Sequence, residues 1–98
     1  MTQWTFTAEL WDWDASDATW TFLATPPDVD EEIRMTAGPP RGFGSVRVEA
    51  TIGGSTWRTS VFPSNEHGFV LPVKKAVRRR EDVEAGDLAE VTLRLLEE

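Results

Sequence analysis

Apolar residues recur at every second position over several separated stretches, and this spacing narrows the possible folds more than any other feature of the sequence. Over residues 3–10, Trp4, Phe6, Ala8 and Leu10 alternate with polar neighbours, and over 45–52 Val46, Val48, Ala50 and Ile52 do the same. Successive side chains of a strand point to opposite faces, so each stretch reads as a half-buried β-strand. Gly53-Gly54 is a tight-turn dipeptide, and residues 56–62 return from it as the second arm of a hairpin. Residues 88–96 alternate again, with Ala89, Val91, Leu93 and Leu95 apolar, as a final strand.

The connecting stretches carry turn chemistry. Residues 11–18 hold Asp12, Asp14, Ser16 and Asp17, which predicts a moderately long loop with the Trp11 and Trp13 rings folded back on the body, before 19–24 resumes as a strand. Exposure of Trp11 or Trp13 would instead mark a stacking site or a protein interface. Pro26-Pro27 stops that strand. A short helix is expected over 28–35, capped by Asp28, with Glu31 at the capping-box position and Val29, Ile33 and Met35 docking it. Gly38-Pro39-Pro40 ends the helix, and 41–44 lead to the next strand. Residues 63–68 read as a turn and 69–71 as a short strand closed by Pro72; a second helix over 73–80 places Val73, Ala76 and Val77 at helical spacing. Six strands and two short helices with brief connections predict one mainly β domain over 1–98, a small six-stranded closed or nearly closed barrel.

Composition tests that reading. A chain of 98 residues builds a single core, and its ten Phe and Trp residues enlarge it, because each ring buries roughly 150 to 250 Å². No cysteine is present, so packing replaces disulfides and thiolate metal sites. The first residues lack a basic stretch leading into an apolar run, and no apolar run is long enough to cross a bilayer; a soluble, cytoplasmic protein with no membrane partner is the expectation. The formal net charge of −7 is uneven: residues 1–40 hold eight acids against Arg34, while 41–98 balance nine against nine. An acidic end repels nucleic acid and anionic membranes, so a nucleic-acid role would need a local patch.

The second half of the chain also carries a resemblance. Gly42-Phe43-Gly44, Val46-Arg47-Val48, Thr51-Ile52-Gly53-Gly54, Trp57-Arg58-Thr59-Ser60, Val70-Leu71-Pro72-Val73-Lys74, Arg78 and Gly86-Asp87, in that order, resemble the family called domain of unknown function 1905. The resemblance implies a double-split β-barrel, similar to the DNA-binding domains of bacterial transition-state regulators and antitoxins. Fold likeness alone does not assign a function.

Candidate sites follow from charge and chemistry. Lys74, Lys75, Arg78, Arg79 and Arg80 put five cations within seven residues, enough to neutralise several phosphates. The competing reading is a solvated helix face whose cations complement the dipole and are offset by Glu81, Asp82 and Glu84. Arg47, Arg58 and Ser60, with Lys74 and Arg78 and flanked by Arg41 and His67, could converge on an anion; the structural alternative pairs Arg47 or Arg58 with Glu49. His67 is the sole histidine, and the carboxylates show no metal-ligand spacing, so no metal or cofactor is expected. Its use as a general acid or base with Ser60 or Ser64 would need an orienting partner that the sequence does not supply. The glycine pairs lack the Lys-Ser/Thr ending of a phosphate loop and are turn glycines. The expected function is a non-enzymatic binding module, monomer or homodimer, for a small anionic ligand or a protein. Nucleic-acid binding is the alternative and an enzyme of unknown type the third reading.

Overall fold

Alternation becomes closure because two long strands each serve two sheets. The computed structural model describes residues 2–15, 18–37 and 44–96. Its elements are β1 (Gln3–Ala15), β2 (Ala18–Ala24), α1 (Pro27–Ala37), β3 (Val46–Ile52), β4 (Ser55–Ser64), β5 (Gly68–Pro72), α2 (Lys75–Glu81) and β6 (Leu88–Leu95). Gln3 to Glu9 of β1 pair antiparallel with β6, and Leu10 to Ala15 pair with β2. β4 likewise pairs with β3 and then, through Phe62, Pro63 and Ser64, with β5. The order β1-β2-β5-β4-β3-β6 returns to β1, so the antiparallel sheet curls into a barrel. Six strands form it, and β1 and β4 each change partners in mid-course.

The interior collects one alternate set from every strand. Leu10, Leu23, Leu71, Leu93, Val48, Val61 and Val91 are fully buried, with Trp4, Phe6, Ala50, Ile52, Trp57, Phe69 and Ala89 around them. Among the described residues, the Trp4 indole N–H is the one buried side-chain polar group without a partner. Val29 and Ile33 of α1, and Val73 and Val77 at α2, join the same cluster, so the two helices supply core side chains from outside the sheet. Met35 is 77% exposed and Ala76 is exposed; neither docks its helix as the sequence spacing suggested.

Three further expectations are corrected. The loop anticipated over 11–18 is strand for most of its length: Trp11 pairs with Phe22, Asp12 with Thr21, Trp13 with Trp20 and Asp14 with Thr19. Aromatic cross-strand pairs outweigh the poor strand propensity of Asp, and the Thr21 hydroxyl donates to the Asp12 carboxylate at 2.8 Å. α1 begins at Pro27, where the absent N–H costs no helical bond, so Asp28 sits in the first turn instead of capping it. Pro63 and Ser64 belong to β4 and not to the turn. The expected helix stop at Gly38-Pro39-Pro40 and the loop residues Ser16 and Asp17 lie outside the described residues.

Candidate functional site

Two acidic side chains fasten the helices, Asp30 on α1 and Glu81 at the end of α2. Asp30 accepts the Phe69 N–H at 2.8 Å and the Arg34 Nε–H at 3.1 Å, while the Arg34 guanidinium lies 4.8 Å from the Phe69 ring centre. This locks α1 to β5. Gly68, with φ +69°, passes so near Asp30 that a Cβ would crowd the carboxylate. Glu81 plays the matching part for α2. It accepts the Ser55 hydroxyl and the Gly54 N–H of the β3–β4 turn, and those hydrogen bonds hold its carboxyl below the usual glutamate range.

The predicted cations fall in two places. Arg47 and Arg58 are exposed on the outer side of the first sheet, with Ser60 the cross-strand neighbour of Arg47. Lys74, Lys75, Arg79 and Arg80 are exposed at α2, and Arg78 is half-buried with its Nε–H bound to the Val73 carbonyl at 3.1 Å. Glu49 takes Arg94, at 3.1 Å, in preference to the Arg47 or Arg58 pairing considered from sequence. Arg41 lies outside the described residues. His67 stands in the β4–β5 turn, its ring 4.8 Å from that of Trp11 and its Nε2 3.8 Å from Glu66; the Ser64 hydroxyl accepts the Glu66 and His67 N–H groups at 3.3 Å. Ser64 is thereby occupied in closing the turn. Among the described residues no cluster of His, Asp or Glu has the arrangement of a metal site.

The barrel's most distinctive surface is the outer side of its second sheet. Since Leu10 and Leu23 point inward, their neighbours Trp11 and Phe22, and next but one Trp13 and Trp20, point outward in register. Trp11 and Phe22 rings are 5.4 Å apart; Trp20 and Phe22 stack at 6.3 Å with an interplanar angle of 12°. Trp13 is 53% and Trp20 52% exposed, and Phe62 on β4 is also uncovered. Val70 lies on this side too, buried yet outside the interior cluster. Half-exposed rings side by side make an apolar patch on this side of the sheet. The sequence reading anticipated rings folded on the body. The overlooked signal was the spacing itself, two aromatic residues two apart on each side of the turn.

Comparison with known proteins adds one finding. A family model described as domain of unknown function (DUF1905) matches residues 6–93, nearly the whole chain. No curated protein matches it.

Proposed function

The chain belongs to the DUF1905 family, and from that premise we propose that it is a non-enzymatic binding module that takes hold of a protein partner through the aromatic outer side of its second sheet. The observation that carries this reading is the pair Trp13 and Trp20, adjacent in register and each about half uncovered. Tryptophan is among the residues that contribute most to protein interfaces, and the Trp20 ring, already stacked on Phe22, loses little freedom on binding. The double-split description of the barrel is part of the same proposal; β1 and β4, each leaving one sheet for the other, support it.

A second reading is anion contact, by a small anionic ligand or a nucleic-acid backbone. It draws on Lys74, Lys75, Arg79 and Arg80, exposed together at α2, and on Arg47 and Arg58 beside Ser60. The two readings separate experimentally. A partner recovered from the native host and purified should lose most of its affinity for a variant with Trp13→Ser and Trp20→Ser, and keep it for one with Lys74→Ala, Lys75→Ala and Arg79→Ala. The reverse pattern would reject the aromatic site. Binding to single-stranded DNA that weakens steeply with salt would favour anion contact.

A further inference from the structure

Beyond Leu10, β1 is paired on one side. The Leu10 N–H donates to the Asp87 carbonyl at 2.9 Å and the Leu10 carbonyl accepts the Gly86 N–H at 2.7 Å, both on the side away from β2. Main-chain groups of alternate residues in a strand point the same way, so the N–H and C=O of Asp12 and Asp14 face that side as well. There the β6 ladder has already ended, at Glu9 opposite Leu88, and among the described residues no further strand lies alongside. Among the described residues this leaves a short open edge beside the exposed indoles.

An open edge is a template for another strand, and charge decides which strand it accepts. A second copy of this chain, paired antiparallel through the same edge, would bring Asp12 against an equally acidic edge, and like charges across a ladder destabilise it. In the sequence, residues 1–40 carry eight acids and one base. The Asp12 side chain is exposed at this edge and anchored by Thr21.

We propose that the β1 edge at Asp12 and Asp14, flanked by Trp11 and Trp13, is a strand-addition site for an extended basic segment of a partner protein. The incoming strand alternates Arg or Lys with apolar residues. Its main chain completes the ladder, its apolar side chains continue the aromatic side of the sheet, and its cations meet the acidic edge. Arginine suits this position especially, because a guanidinium also stacks on indole. The inference rests on the partner-binding reading above and adds the partner's chemistry and its mode of attachment.

The test is a titration of the full chain, followed by NMR, with an acetylated peptide of alternating Val and Arg. The matching Val and Glu peptide, and a Val and Arg peptide N-methylated at alternate residues, serve as controls. The Val and Arg peptide should shift the indole signals of Trp11 and Trp13, slow hydrogen exchange at the Asp12 and Asp14 amides, and leave the buried Trp4 and Trp57 indoles unmoved. Both controls should bind at least tenfold more weakly, and Asp12→Asn should lower affinity several-fold without altering the fold. Equal binding of the Val and Glu peptide overturns the charge assignment. Shifted indoles with unprotected Asp12 and Asp14 amides overturn strand addition while leaving the aromatic partner site standing. Unmoved indoles with every peptide overturn the proposal, and the purified partner tested against the Trp13 and Trp20 variant then decides the broader reading separately.

Discussion

The two outer sides of the barrel are built from the same kind of strand and have opposite characters. On the first sheet, Thr5, Thr92, Thr51 and Thr56 form one row across four strands, with hydrogen bonds of 3.0 Å between Thr5 and Thr92 and between Thr51 and Thr56. The next row runs Gln3, Arg94, Glu49, Arg58, and Arg94 bonds Glu49. On the second sheet the corresponding rows are Trp13 with Trp20, then Trp11, Phe22 and Pro72. Inward positions on both sheets are bound to fill one core, so the outward positions alone are free to differ. One side spends its groups on each other; the other keeps apolar area in contact with water, which costs free energy unless something covers it.

The severest way to break this contrast is to remove what the two sides share. Leu10 is fully buried where β1 passes from one sheet to the other, and Leu10→Ala should destabilise the protein by roughly 2–5 kcal/mol, with both sheets lost in one urea transition. Separate transitions by tryptophan fluorescence and circular dichroism would show the sheets to be independent units. A smaller effect sharpens the contrast. A double-mutant cycle on Trp20 and Phe22 should give a coupling of about 0.5–1.5 kcal/mol that salt leaves unchanged. The same cycle on Glu49 and Arg94 should give about 0.2–1 kcal/mol, shrinking as salt rises. Salt dependence of the aromatic coupling would mean that charge contributes to that side as well.

The gentlest perturbation is acid. Glu81 has its pKa lowered in the folded protein, so its contribution to stability is present above the ordinary glutamate range and disappears as pH falls through the depressed value. Acidification should loosen α2 from the β3–β4 turn, moving the Gly54 and Ser55 amide signals, before the Trp13 and Trp20 indole signals change. Glu81→Gln should abolish that early step. An unchanged early step in the variant would assign it to another group.

The β3–β4 hairpin shows how far a sequence can be read. Val46, Val48, Ala50 and Ile52 alternate, Gly53 takes the left-handed conformation that its turn requires, with φ +56°, and the expected pairing appears in register from Val46–Val61 to Ile52–Ser55. The β1–β2 hairpin was misread because Asp12 and Asp14 were weighed as isolated turn formers. Their companions Thr21, Trp20 and Phe22 lie on the opposite strand. Asp30 and Glu81 were legible as acids near helix ends, but their actual partners, Phe69 and Ser55, are 39 and 26 residues away. Of the candidate cations, Arg79 and Arg80 are exposed on α2. The sequence could not say that Arg47 and Arg58 lie on a sheet while Lys74 and Arg78 lie at α2.

By itself the amino-acid order determined a mainly β fold and the inward set of most strands, because the two-residue period of a strand is a local property carried by neighbouring side chains. Only the tertiary structure decided that β1 joins two sheets, that tryptophans remain uncovered on one of them, and that among the described residues no strand pairs with β1 beyond Leu10 on the side away from β2. Each of these depends on which distant segment arrives alongside, and main-chain hydrogen bonds between strands leave no mark in the order of residues.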